Sequence, residues 1–272
     1  MGLLFLFIVG IVAAVFGSIV GLGGGIIMVP VLVLLGERIV GDPVTTQIAV
    51  GTSLAVLIFT ALSATYTYRK QGKVDSRTGW IFFATSGPAA MVGAQLTTGI
   101  EQGPFQLSFG IFMFVMFGLM IARQRMKPLR VKWSVQRTFT DGSGAVHTYG
   151  YNIALALIIG CGVGLCSGLF GIGGGSLFVP LMVLLFRFPP HVATATSMFV
   201  ILLSSVLGSG VHAWHGNIDW LLFAALMPGA IIGGRLGAVI ASRMSGKQLI
   251  WLLQATLLGM AIYLIIQGVR DL

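Results

Sequence analysis

Charge is what this sequence has least of. Asp, Glu, Lys and Arg make up 8% of its 272 residues, against about 25% in a soluble domain. With 56% hydrophobic residues, so few charges cannot cover a water-exposed surface, which excludes a soluble helical protein. Cysteine is scarce too: Cys161 and Cys166 are the two present, too few for a disulfide framework. No His, Cys, Asp or Glu group has metal-ligand spacing, no nucleophile, base and orienter stand together, and there is no Walker motif. The chain is therefore expected to be no enzyme, with no catalytic residue, no metal and no cofactor. The seven carboxylates, Asp75 and Asp219 among them, all fall in or beside loops. None is placed mid-helix to hold a cation, and Asp75 and Asp219 are expected to cap helices. The net charge of +9 comes without an aromatic stacking platform, so it does not indicate nucleic acid. It reads as topology signals and contacts to anionic membrane lipid.

What is present is long apolar stretches and glycine. The mean hydropathy is +0.98. Apolar blocks fall near 2–20, 25–36, 45–68, 79–98 and 104–122, then near 151–169, 175–186, 192–213, 220–240 and 248–267. Several reach the roughly 20 residues a membrane helix needs. The fold class expected is an all-α polytopic membrane protein. The opening Met1-Gly2-Leu3-Leu4-Phe5 lacks a basic n-region and a cleavage site before the glycines, so the first helix is expected to be retained.

The same glycine cluster occurs twice. Gly21-Leu22-Gly23-Gly24-Gly25, followed by Pro30, returns as Gly171-Ile172-Gly173-Gly174-Gly175, followed by Pro180. Gly51-Thr52-Ser53 matches Ala195-Thr196-Ser197, Gly72-Lys73-Val74-Asp75 matches Gly216-Asn217-Ile218-Asp219, and Gln95 matches Arg235. The order is kept, so the chain reads as two homologous halves: a first transmembrane repeat over 1–122, a basic cytoplasmic linker over 123–150 and a second repeat over 151–272. With the basic segments 69–77 and 123–137 placed inside, parallel repeats leave Arg38, Arg187, Arg235, Arg243 and Lys247 outside. Inverted repeats leave only Arg38 and Arg270 there, so the positive-inside rule favours inversion. The segment 25–36 would rise about 18 Å as helix, short of a roughly 30 Å hydrocarbon core. The segments beside each break are thus either shortened helices meeting near mid-membrane or re-entrant pieces, and eight or ten membrane segments both fit.

An interrupted helix in a membrane exposes backbone groups that need a protein partner or a wet cavity. The resuming helices offer N–H groups and positive dipole ends, and glycine lets an oxyanion approach them. Gly23, Gly24, Gly25, Gly173, Gly174 and Gly175 are the candidate backbone donors. The competing reading is close helix packing. Thr52, Ser53, Thr196 and Ser197 are candidate hydroxyl donors, against back-bonding within their own helices. Arg235, deep in an apolar block, is either a substrate attractant or a snorkelling anchor. His212 and His215 could couple protons to transport, although a place at the membrane interface beside Trp214 is favoured.

The two glycine–proline motifs, with Gly51-Thr52-Ser53, Ala193-Thr194-Ala195-Thr196-Ser197 and Gly216-Asn217-Ile218-Asp219, resemble the TauE/SafE family of membrane permeases, the sulfite exporter family. The resemblance covers nearly the whole chain. It implies a secondary transporter of the bacterial-type inner (plasma) membrane for a small sulfur-containing oxyanion such as sulfite, thiosulfate or a sulfonate. A permease for a non-sulfur organic anion, or an anion channel, is the alternative. The partners expected are a small anionic solute, membrane lipid and H+ or Na+ as coupling ion. The direction of transport and the oligomeric state are not encoded in these motifs.

Overall fold

The computed structural model describes residues 2–41, 44–96, 102–125, 133–140, 146–171 and 175–270. In the first half these form α1 (Gly2–Val20), α2 (Gly25–Val40), α3 (Thr46–Lys70), α4 (Ser76–Leu96) and α5 (Gln102–Arg125). Strands β1 (Val135–Thr140) and β2 (Val146–Tyr151) follow, and then α6 (Ile153–Phe170), α7 (Gly175–Leu185), α8 (Pro190–Trp214), α9 (Trp220–Arg243) and α10 (Gly246–Arg270). Among the described residues seven helices, namely α1, α3, α5, α6, α8, α9 and α10, are long and apolar enough to cross a membrane. The chain is an all-α multi-pass membrane protein, as its shortage of charge requires.

The glycine break is a reversal. Gly21 adopts φ +78°, a left-handed conformation that ends a helix without strain only at glycine. Leu22 N–H and Gly23 N–H then both donate to the Gly17 carbonyl, at 2.7 and 3.1 Å, closing the last turn of α1. From there α2 runs back along α1. A Cβ on Gly24 would meet the Ala13 carbonyl at 2.7 Å, and one on Gly2 would meet Ile39 Cγ2 at 2.8 Å. The second half behaves alike: Gly150 N–H donates to the Phe186 carbonyl at 3.2 Å, so the chain leaving α7 returns to the level where α6 starts. Of the two forms that the sequence allows, the paired segment is a returning helix.

The halves interleave. α1 lies on α9 and α6 on α4, while α3 and α8 pair at the centre and α5 pairs with α10. Small residues four apart make this possible. A Cβ on Gly229, Gly233 or Gly237 of α9 would run into the Phe7, Ile11 or Val15 carbonyl of α1. On α6, one on Gly160, Gly164 or Gly168 would run into the Phe82, Ser86 or Ala90 carbonyl of α4. Backbones this close gain van der Waals contact that lipid cannot replace. Both of these pairs run parallel. α3 and α8 run antiparallel, with Gly51 against His212 and the Asn217 carbonyl, and so do α5 and α10, with Gly110 against Ile265 and Gly268 against Leu107.

The linker carries a β-hairpin, in antiparallel register from Val135↔Tyr151 to Thr140↔Val146. Its two sequences, VQRTFT and VHTYGY, are rich in β-branched and aromatic residues. Tyr149 and Tyr151 share one face and are buried. Tyr149 packs on Phe188 at 4.2 Å between ring centroids, and Tyr151 on Phe82 and Phe186. The hairpin sits at the basic end of the bundle, which also holds Lys70, Lys73, Arg77, Arg137 and Arg187.

Candidate functional site

Each Thr-Ser pair of α3 and α8 reaches into the opposite half. Ser197 Oγ–H donates to the Gly21 carbonyl at 2.9 Å, and Ser53 Oγ–H donates to the Gly171 carbonyl at 3.3 Å. The neighbouring threonines accept: Asp219 N–H donates to Thr52 Oγ1 at 3.0 Å, and Asp75 N–H to Thr196 Oγ1 at 3.1 Å. All four hydroxyl residues are fully buried. The carbonyl that each helix leaves unpaired at its glycine end is thus satisfied from the other repeat. Thr52 and Thr196 act as acceptors in these two bonds, so each hydroxyl proton remains for a further partner.

The first break is enclosed. Gly21, Gly23 and Gly24 are buried, and a Cβ on Gly23 would meet Leu57 Cδ2 at 2.7 Å and Ile201 Cδ1 at 3.3 Å. Gly23 N–H is committed to Gly17, while the Gly24 carbonyl accepts from Ile27 N–H and Met28 N–H at 3.0 Å each. Gly24 has φ +100°; its lack of a side chain is accounted for by that backbone and by the Ala13 carbonyl. Gly25 and Gly175 are the first residues of α2 and α7. Gly173 and Gly174 lie outside the described residues.

Arg235 stands apart from this cluster. It is exposed on α9 and lines an open cavity of about 820 Å³ between α3 and α9, together with Tyr66, Lys70 and Gln71. Neither the four hydroxyl residues nor the first-break glycines line it.

The aspartates do cap helices. Asp219 Oδ1 accepts from Leu221 N–H and Leu222 N–H at 2.9 Å each, and Asp75 Oδ1 accepts from Thr78 N–H at 3.1 Å. Asp75 has further partners on the basic end. Its Oδ2 accepts from Thr78 Oγ1–H at 2.6 Å and Tyr149 Oη–H at 3.1 Å, and lies 3.9 Å from Arg137 Nε. Burial first, and then the Asp75 carboxylate, push the Tyr149 phenol well above its ordinary value, so it remains a neutral donor. Burial pulls the nearby Lys73 ammonium below its ordinary value. The hairpin, Asp75, Thr196, Ser197 and the Gly21 carbonyl therefore form one connected series.

His212 is 1% exposed, in the last turn of α8, while His215 is exposed. Among the described residues neither ring nitrogen of His212 has a hydrogen-bond partner. Cys161 is exposed and Cys166 half-buried, both as free thiols. The described residues contain no cluster of three metal-ligating side chains. Sequence reasoning missed the carbonyls of Gly21 and Gly171 as acceptors, and Tyr149 and Arg137 as partners of Asp75. The signal for the first pair was present: Thr52-Ser53 and Asp75 stand at the same spacing as Thr196-Ser197 and Asp219. Nothing in that spacing says that each set bonds to the other repeat.

A family model described as "Sulfite exporter TauE/SafE" matches residues 6–264. The chain is 43% identical over 272 residues to the "Probable membrane transporter protein YunE" of Bacillus subtilis (strain 168), covering 99% of both chains. It is 28% identical over 233 residues to a "Probable membrane transporter protein" of Xylella fastidiosa (strain 9a5c), covering 85% of this chain and 82% of the relative. A relative of the same description from Methanocaldococcus jannaschii is 26% identical over 277 residues, covering 96% and 94%. No solved structure matches the chain.

Proposed function

This chain belongs to the sulfite exporter TauE/SafE family, and from that premise we propose that it is a secondary transporter for a small sulfur-containing oxyanion such as sulfite, thiosulfate or a sulfonate. The observation that carries the proposal is the crossed attachment of the two glycine ends to the Thr-Ser pairs. In this reading the described arrangement is occluded. On opening, Ser53 and Ser197 exchange the glycine carbonyl for the anion. Thr52 and Thr196 donate their remaining protons, and Gly23 to Gly25 and Gly173 to Gly175 bring the positive ends of α2 and α7 to the same charge. Arg235 acts at the mouth rather than at this centre. The repeats are read as inverted, with the basic end and the 123–150 linker in the cytoplasm. The antiparallel packing of α3 against its counterpart α8, and of α5 against α10, supports that reading. A gradient of H+ or Na+, or the substrate's own gradient, drives the cycle.

Counterflow in liposomes containing the purified protein tests it. Sulfite, thiosulfate or sulfoacetate is expected to exchange saturably and to raise the melting temperature of the folded protein, with sulfate and small carboxylates as comparisons. Ohmic current without saturation would replace the carrier by an anion channel. Exchange of carboxylates alone would overturn the sulfur assignment.

A further inference from the structure

We propose that the groove between α3 and α9 binds one anionic phospholipid of the leaflet at the basic end. Two helices fix the groove. Ser63 Oγ–H donates to the Ile231 carbonyl at 2.7 Å, and Gly234 lies against the Thr60 carbonyl, so α3 and α9 touch on one side of Arg235. Toward the basic end an open cavity of about 820 Å³ separates them. Its deeper walls are apolar, from Phe59, Leu62 and Ile231. Its mouth carries Lys70 and Arg235, and the Lys70 ammonium lies over the Tyr66 ring at 4.6 Å. The two described carboxylates outside helices, Asp75 and Asp219, are not among its lining residues.

Two cations without a carboxylate, set above an apolar slot at the edge of the hydrocarbon, complement one kind of occupant. A phosphate lies between Lys70 and Arg235, while an acyl chain runs along Phe59, Leu62 and Ile231. Tyr66, 62% exposed, is at the level where amphipathic rings meet headgroups. The repeat supplies a control within the molecule. The counterparts of Lys70 and Arg235 in the α8 and α4 pair are Trp214 and Gln95, so the cationic mouth exists at one end only. A general need to anchor these helices would not distinguish the ends. Attraction to acidic lipid does, because anionic lipid is concentrated on one face of the membrane.

The test uses the full-length protein in neutral detergent. Phosphatidylglycerol is expected to raise the melting temperature by about 2–4 °C, and phosphatidylcholine to raise it less. Lys70→Gln with Arg235→Gln should abolish the difference, and Lys70→Arg with Arg235→Lys should restore it. Native mass spectrometry should find one phosphatidylglycerol fewer on the glutamine variant, a count that does not depend on melting behaviour. Three outcomes overturn the proposal: an unchanged phosphatidylglycerol count and shift in the glutamine variant, an equal response to both lipids, or full stabilisation by soluble glycerophosphate alone. The last would make the groove a small-anion site. Lipid binding is read without transport, so its failure is separate from failure of the carrier assignment.

Discussion

Removing the Ser197 hydroxyl tests the crossed attachment most directly. Ser197→Ala deletes the proton that reaches the Gly21 carbonyl at 2.9 Å. The same hydroxyl lies 2.9 Å from the Thr194 carbonyl, but that carbonyl belongs to the α8 backbone ladder and keeps a partner. Gly21 is at a helix end, in a buried site that water does not reach. An acceptor orphaned in this way costs about 1–3 kcal/mol, while hydrogen bonds between membrane helices have averaged nearer 0.6 kcal/mol. A loss of about 1 kcal/mol is therefore expected, lowering the melting temperature by about 2–4 °C. Ser53→Ala breaks a longer bond, 3.3 Å, and should cost less. A thiol-reactive dye can follow melting, since Cys166 is half-buried and free. The same 1 kcal/mol corresponds to a roughly fivefold shift between closed and open forms, readable as a changed counterflow rate. If Ser197→Ala melts with the wild type, or Ser53→Ala proves the more costly change, the bond does not hold the break and the reasoning fails.

Gly233→Val places a Cβ branch against the Ile11 carbonyl, so it should abolish folded protein, whereas Gly162→Val, with nothing within 4 Å of its Cβ, should express normally. Folded yield after membrane extraction decides between them. Tyr149→Phe removes the donor to Asp75 and should loosen the hairpin by about 1 kcal/mol, seen as several-fold faster proteolytic clipping within β1 and β2 with the helices intact. Lys73 has a lowered folded pKa from burial. The unfolded chain thus holds more protons between that value and 10.5, and stability rises with pH through this window. Lys73→Asn, the residue of the second repeat, should stabilise the protein at neutral pH and lose its advantage above pH 10.5. An advantage that persisted there would reflect packing rather than charge.

The helical class and the ends of α1 and α6 were legible because a doubled glycine cluster and a shortage of charge each restrict a chain to few architectures. The direction taken after each break was not. Gly21 announces that α1 stops, but the return of α2 depends on how Gly17, Gly24 and Ala13 fit, and composition does not encode that fit. Nor could periodicity show that α1 lies on α9. In lipid both faces of a helix are apolar, so the pattern that reveals a buried face in water is weak. The four-residue spacing of Gly229, Gly233 and Gly237 marked a packing face without naming its partner. The hairpin was readable in principle: β-branched and aromatic residues flank Asp141-Gly142-Ser143-Gly144. The basic residues around it point equally well to a topology signal, which masks the strands. For Thr52, Ser53, Thr196 and Ser197, residue type gave the hydrogen-bonding chemistry, and only the three-dimensional arrangement supplied the partners.

The interleaving of α1 with α9 and of α6 with α4 has a consequence for biosynthesis. α1 leaves the ribosome long before α9, the surface that receives it, which ends at Arg243. Until then its glycine and alanine stripe faces lipid or a surrogate. Assembly of this protein must therefore be largely post-insertional, with late closure of contacts distant in sequence. A nascent chain halted after the hairpin should remain an open, protease-sensitive intermediate.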